Sequence, residues 1–152
     1  LYVERWRIYQ DARLYPARPH GPRSIGVFVC LEGALTVQCG RRELCLNKGD
    51  FVALSWGEDI SIRNESHMES GLILFKGAHR VFAMDTPNIE ILLGEPCRDD
   101  CKTASFFSTF CCSLARSLED RFDDEVKSLL GKCILRMFCT FCYEKCREVI
   151  TE

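Results

Sequence analysis

The chain has 152 residues, of which 47% are hydrophobic and 28% are charged, a composition typical of a folded globular domain. A net charge of −2 gives no general attraction to nucleic acid or to an anionic membrane surface. No apolar run is long enough to span a bilayer and the first residues do not resemble a signal peptide, so we predict no membrane association.

The N-terminal half predicts a succession of short β-strands. Leu1–Gln10 predicts a first strand, and Arg13–Arg23 predicts a loop because its three prolines are incompatible with a helix or a sheet interior. From Ile25 to Phe75, short apolar runs alternate with glycine-containing turns, which is typical of a small antiparallel barrel or sandwich. The predicted strands in this region are Ser24–Leu31, Ala34–Cys39, Glu43–Leu46, Phe51–Ser55, Asp59–Arg63 and Gly71–Phe75. We expect a tight hairpin at Glu32-Gly33.

The C-terminal third predicts two helices. The first is expected to begin at a cap on Thr103 or Ser105 and to reach about Phe122. The second is expected from Asp124 to about Val149, with acidic residues at its positive end. It carries two apolar stripes, which predicts that one covers the β-structure and that the other meets a partner helix. The stripe assigned to the partner is Val126, Leu130, Cys133 and Met137, and the other is Ile134, Phe138 and Phe141.

One segment resembles a known family. The run CLEGALTVQCGRRELCLNKGDFVALSWGE, residues 30–58, resembles the cupin-type regulatory domain at the N-terminus of AraC-family transcription regulators. The resemblance implies a mainly β fold, a cupin-like (jelly-roll) β-barrel followed by two antiparallel α-helices. It implies a barrel with an N-terminal arm over residues 1–100 and a helical dimerisation segment over residues 101–152. The chain begins with Leu1 and not Met, and we expect a helix-turn-helix DNA-binding domain after residue 152 of a longer protein.

The resemblance also bears on catalysis. Cupin enzymes usually hold a metal with a His-x-His pair, a following Glu and a later His. This chain offers only His20 in the first position, with Gly26 where an acid would stand, and it has no His over Ile60–Ile62. We therefore predict no metal, no cofactor and no enzymatic activity. A stand-alone cupin enzyme remains as an alternative.

The family binds small molecules inside the barrel, so the resemblance implies a pocket for an effector whose identity the sequence does not reveal. Aromatic faces with a few polar groups suit such a cavity, and an arginine there would suit a carboxylate or another oxyanion. The predicted ligand-binding residues are Trp6, His20, Arg23, Trp56, Arg63 and Ile73. The alternative is that both tryptophans belong to the core and both arginines to the surface. The basic pair Arg41-Arg42 is interpreted as solvated hairpin residues.

Eleven cysteines are unusual for a chain of this length. Cys30, Cys45, Cys111 and Cys133 fall on apolar strand-like or helix-like faces, which favours small buried hydrophobes in a reducing cytoplasm. A thiol or soft-metal sensor is the alternative. The spacing of Cys139, Cys142 and Cys146 places these three on one broad face of a helix, and Cys97 and Cys101 could join them. We expect a cytoplasmic homodimer that contacts DNA only through the absent domain.

Overall fold

The computed structural model describes residues 2–10, 12–14, 24–55, 60–78, 92–98, 102–117 and 124–151. Within these ranges the chain forms eight strands followed by two helices. The strands are β1 (Tyr2–Ile8), β2 (Ala12–Leu14), β3 (Ser24–Glu32), β4 (Ala34–Cys39), β5 (Arg42–Asn47), β6 (Phe51–Ser55), β7 (Ile60–Asn64) and β8 (Ser70–Ala78), and the helices are α1 (Lys102–Ser117) and α2 (Asp124–Thr151).

The strands form two four-stranded antiparallel sheets. The first sheet has the order β1-β8-β3-β6, and the second sheet has the order β2-β7-β4-β5. Among the described residues the two sheets share no ladder of hydrogen bonds, so the predicted barrel is a pair of open sheets packed face to face. The predicted class, mainly β with C-terminal helices, is confirmed.

The first sheet is buried on both faces. One face packs on the second sheet in an inter-sheet core that includes Phe28, Leu72 and Leu74. The other face packs on the helices in a helix-side core that includes Val29 and Phe75. Successive residues of a strand point to opposite faces, so β3 is buried almost throughout, whereas the outer strand β5 alternates between buried and exposed.

The predicted hairpin at Glu32-Gly33 is wrong. β3 pairs with β6 and β8, and β4 pairs with β5 and β7, so the chain crosses from one sheet to the other at this point. Gly33 has a φ of 77°, and a Cβ there would lie 2.2 Å from the Ser70 hydroxyl oxygen. Glycine is therefore needed for the crossing itself. β4 and β5 do form a hairpin, which agrees with the interpretation of Arg41-Arg42 as hairpin residues.

Two further boundaries differ from the sequence prediction. Arg13 and Leu14, expected in a loop, pair with Ser61 and Ile60 as part of β2. Thr103, expected as a cap, lies inside α1. The same holds for Ser105. The expected extension of α1 to Phe122 lies outside the described residues.

The helices pack on the first sheet through an aromatic cluster. Phe107 of α1 lies 4.7 Å from Phe51 and 5.7 Å from Phe75 between ring centroids. It also lies 5.6 Å from Phe138 of α2, while Thr103 bonds Glu144 further along, so the helices run antiparallel as predicted. Among the described residues, no helix combines the length and the apolar character that crossing a membrane requires.

Candidate ligand-binding cleft

A cleft of about 490 Å³ lies at one end of the two sheets. At this end Cys39 is the last residue of β4 and pairs with Arg42 and Ile60. Ser55 is the last residue of β6 and pairs with Ile25. The described lining residues are Cys39, Arg42, Leu44, Leu54, Ser55, Leu93 and Gly94. The cleft thus joins both sheets to a segment that precedes the helices.

That segment, residues 92–98, is here called the strap. It runs along β6, which is the edge strand of the first sheet. Phe51 and Cys97 exchange two backbone hydrogen bonds of 2.7 and 3.0 Å, and the Gly94 amide donates to the Ala53 carbonyl at 2.8 Å. The strap therefore satisfies backbone groups that an uncovered edge strand would expose.

Arg42 ties β5 to the strap across the cleft. Its Nη2 donates to the Gly94 carbonyl at 2.9 Å and lies 3.9 Å from Oε1 of Glu95. Gly94 has a φ of 79°, and a Cβ there would lie 2.4 Å from Arg42 Nη1. A glycine at this position therefore lets the guanidinium lie directly against the strap.

The space is at the mouth of the sandwich and not between the sheets. Leu44 and Leu54, which line the cleft, belong to the inter-sheet core, and Cys39 packs against it. Deeper in that core, Phe28, Leu46 and Ile62 are fully buried. The cleft therefore lies outside these residues, and the predicted pocket inside the barrel stays a prediction.

The Gly-Asp turn anchors the other end of the strap. The buried Asp50 carboxylate accepts a hydrogen bond of 2.9 Å from the backbone amide of Asn47 and another from the guanidinium of Arg98. Arg98 also donates to the Cys45 carbonyl at 3.2 Å. In this chain the Gly-Asp pair that carried the family resemblance therefore holds the strap to the turn between β5 and β6.

Of the six predicted ligand residues, the structure describes Trp6, Arg63 and Ile73, and these three lie apart from one another. Trp6 is half-buried against the inter-sheet core, whereas Arg63 is exposed on the outer face of the second sheet. Ile73 is fully buried on the helix-side face, because it alternates with Leu72 and Leu74. The predicted residues His20, Arg23 and Trp56 lie outside the described residues. Ser24 and Ser55, which adjoin the last two in sequence, lie at the cleft end of the sheets.

Arg63 is engaged in an ion pair on the surface. Its Nε donates to Glu65 Oε1 at 2.5 Å, and the Thr36 hydroxyl donates to the same oxygen at 3.0 Å. The hydrogen bond from Arg63, followed by that from Thr36, lowers the pKa of Glu65. Within the described structure, this arginine lies on the outer face of the second sheet and is not among the residues that line the cleft.

The residues predicted to form a dimer interface lie on one flank of α2. Leu130 and Met137 are partly buried and pack against the helix-side core. Cys133 is exposed, Val126 is half-buried, and the neighbouring Leu129 is 55% exposed. The dimer therefore stays a prediction. On this flank of α2, Leu129 and Cys133 are the exposed residues that a second copy of the chain could cover.

The cysteines divide between core and surface. Cys30, Cys111, Cys139 and Cys142 are buried, as expected of small hydrophobes. The prediction that Cys45 and Cys133 are buried is wrong: both are exposed, because Cys45 lies on the outer face of β5 and Cys133 on the open flank of α2. Among the residues that the structure describes, no group of three or more His, Cys, Asp or Glu side chains is placed to hold a metal ion. Cys101 and the side chain of Cys146 are outside this description.

None of the seven described lining residues was among the predicted ligand residues. Two of them connect β5 to the strap: Arg42 was interpreted as a solvated hairpin residue, and no ligand-binding role was predicted for Gly94. They meet only because the strap passes the start of β5, a contact between residues 52 positions apart. No local pattern marks such a contact.

The sequence has no match among protein-family models and none among curated proteins. Its fold does match solved structures. The AraC-like transcriptional activator CuxR is similar with a TM-score of 0.58 and 16% identity, over 91% of this chain and 47% of CuxR. The chain thus spans about half the length of that protein, and the match shows a common fold.

Two other similar structures match only part of the chain. The cupin domain of Cnp3 from Schizosaccharomyces pombe matches 61% of this chain and 63% of its own, at 17% identity and a TM-score of 0.42. The cupin-2 domain of an XRE family transcriptional regulator from Enterobacter cloacae matches 47% of this chain and 77% of its own, at 13% identity and a TM-score of 0.40. With TM-scores below 0.5, neither supports a conclusion about this chain.

Proposed function

We propose that the chain is the ligand-sensing and dimerisation domain of an AraC-type transcription regulator. It would couple the binding of a small-molecule effector to an attached helix-turn-helix DNA-binding domain. The observation that carries the proposal is the fold that the chain shares with an AraC-like activator over 91% of its length, a range that includes the sheets and the helices. In this role the chain binds its effector without converting it, takes no cofactor and acts in the cytoplasm.

The strap supports a route from the cleft to the helices. Gly94 lines the cleft, and three residues later Cys97 pairs with Phe51. Phe51 in turn lies 4.7 Å from Phe107 of α1 and 4.9 Å from Phe141 of α2, between ring centroids. A shift of the strap at the cleft would therefore change the packing under both helices.

Such a route works by a population shift. An effector changes the balance between two arrangements of the strap and helices only by binding one arrangement more tightly. The helices would then present a different surface to a second copy of the chain. We place this homodimer contact on the flank of α2 that carries Val126, Leu130, Cys133 and Met137.

Ligand screening with a reporter assay tests the proposal. The full chain is screened by thermal unfolding against sugars, aromatic compounds, fatty acids and amino compounds. An effector at a hundred times its dissociation constant should add about 2.7 kcal/mol to the free energy of unfolding. The same chain is fused to a DNA-binding domain that requires dimerisation, and repression of a reporter is measured with and without each stabilising compound. No stabilisation by any class, together with no repression by the fusion, would contradict the proposal.

A further inference from the structure

We propose that the cleft binds a small molecule with a carboxylate or similar planar oxyanion on an apolar body, and that Arg42 recognises the anion. The inference rests on the proposed function in one respect: the bound molecule would be the effector. It assigns the anion contact to a residue of the β4–β5 hairpin, and not to Arg23 or Arg63.

Arg42 has donors to offer. A guanidinium carries five N–H donors in a rigid fork that fits a carboxylate with two parallel hydrogen bonds. One of the donors of Arg42 is used by the Gly94 carbonyl, and this bond fixes the group at the edge of the cleft. The side chain is 57% exposed, so solvent and a ligand can reach it.

Three of the other described lining residues suit an apolar body. Leu44, Leu54 and Leu93 present aliphatic side chains, while Ser55 adds a hydroxyl and Cys39 a partly buried thiol. The volume of about 490 Å³ lies within the range of about 300–1,000 Å³ that is usual for small-molecule sites. The combination of one guanidinium with three leucine side chains predicts an amphipathic anion. A sugar needs more hydrogen-bonding side chains than Arg42 and Ser55, the two that the described lining offers besides the thiol of Cys39.

Glu95 completes the site as a replaceable counter-ion. Its carboxylate lies 3.9 Å from Arg42 Nη2, and its side chain is 66% exposed. A pair this open and this long contributes little to stability. A ligand carboxylate that binds Arg42 would displace Glu95, because two carboxylates beside one guanidinium repel each other. Glu95 therefore lowers the affinity of the cleft for an anion, because the anion must displace it from Arg42.

The experiment compares matched acids and amides. Benzoate and hexanoate are titrated into the full chain by calorimetry, beside benzamide and hexanamide, which keep the apolar body and lose the charge. We expect each acid to bind at least about tenfold more tightly than its amide, which corresponds to about 1.4 kcal/mol. Arg42→Gln should abolish this preference, while Arg41→Gln, in the same turn and outside the cleft, should change it less than about twofold. Glu95→Gln should tighten binding of the acids and leave the amides unchanged.

Two further variants distinguish a specific loss of binding from a general loss of structure. Arg42→Lys keeps the charge and loses the fork, and should bind the acids more weakly than the parent chain. Leu93→Trp should reduce binding of acids and amides alike by filling the cleft. Circular dichroism establishes that each variant is folded.

The inference is overturned if neither acid binds, if acid and amide bind equally, or if Arg41→Gln matches the effect of Arg42→Gln. The outcome separates this inference from the proposed function. Arg42-dependent binding that leaves the reporter unchanged supports the site and counts against the regulator. A reporter that responds to a compound whose binding is indifferent to Arg42 supports the regulator and overturns the site.

Discussion

Among single residues, Asp50 joins two parts of the chain through its side chain. Its carboxylate is buried and accepts a backbone amide of the preceding turn and the guanidinium of Arg98 on the strap. A buried carboxylate is tolerated because these donors replace the water that it has lost. The residue therefore links the turn geometry to the position of the strap.

Replacing Asp50 with alanine tests this role. Asp50→Ala should lower the free energy of unfolding by about 2 kcal/mol, because it leaves the Asn47 amide and the Arg98 guanidinium without their acceptor. Urea denaturation monitored by circular dichroism measures the loss. Arg98→Ala should cost a comparable amount, because it leaves the buried Asp50 carboxylate without its counter-ion. Arg41→Ala, at an exposed position in the turn between β4 and β5, serves as the control and should change the free energy of unfolding little. If Asp50→Ala unfolds at the same urea concentration as Arg41→Ala, the role assigned to Asp50 is contradicted.

Cys30 is a second residue whose surroundings set its chemistry. It is fully buried in the inter-sheet core. Burial, with a smaller contribution from the negative charge of Asp50, raises the pKa of its thiol from 9.0 to about 12. Burial likewise raises the pKa of Cys111. Both thiols therefore stay protonated and unreactive at neutral pH.

The raised pKa predicts an alkaline loss of stability. In the unfolded chain Cys30 ionises near 9.0, whereas in the folded chain it holds its proton to about 12. The stabilisation is thus fully present below the unfolded pKa and is lost as pH rises through this window. Thermal unfolding between pH 8 and 12 should show a shallower decline for Cys30→Ala than for the parent chain. Identical slopes would contradict the pKa assignment.

Among the elements, α2 has two distinct apolar flanks. Ile134, Phe138 and Phe141 are buried against the first sheet, as the second stripe predicted. On the other flank Leu130 and Met137 are partly covered by the chain itself, and Leu129 and Cys133 remain exposed. Glutamates at the exposed pair would therefore test self-association without opening the core.

The double variant Leu129→Glu with Cys133→Glu should shift the chain from dimer to monomer in sedimentation velocity. Burying two carboxylates at an interface costs more than the apolar contact contributes. Lys132→Glu is a control on the same helix, exposed and matched in its change of charge. If the double variant sediments like the parent chain, α2 does not form the dimer interface through this flank.

In the whole molecule, the stability of each of the three layers depends on the others. These layers are the second sheet, the first sheet and the helices. The first sheet lies between the second sheet and the helices, so half of its buried side chains belong to each core. Val29, Phe51 and Phe75 would be exposed together if the helices were absent. A contiguous apolar surface of this kind promotes aggregation.

Truncation tests this interdependence. A chain ending at residue 98 should be insoluble, or unfolded by circular dichroism, because the helix-facing side of its first sheet lies open. Phe107→Ala in the full chain provides a graded comparison and should cost about 3–5 kcal/mol, since it removes the ring at the centre of the aromatic cluster. A soluble, cooperatively folded 1–98 fragment would contradict the three-layer account.

The sequence alone determined most of the elements of this protein, with β2 as the exception. Apolar alternation and glycine turns located β3 to β8 within a few residues, and the helical stripes located α2 closely, because these signals are local. The sequence predicts no metal site, because it lacks the usual His and Glu pattern of cupin enzymes. The resemblance of residues 30–58 to the cupin-type regulatory domain predicted the fold class, and the structure confirms that class.

Only the tertiary structure decided how the elements are partnered. Strand length and apolarity do not reveal which sheet a strand joins, so Glu32-Gly33 was predicted as a hairpin although it is a crossing. The same limit applies to the cleft: Arg42 and Gly94 have no common local pattern, and Ile73 differs from Leu72 only in the face to which alternation assigns it. Contacts between distant residues form when whole layers pack, and that packing places Arg42 beside the strap.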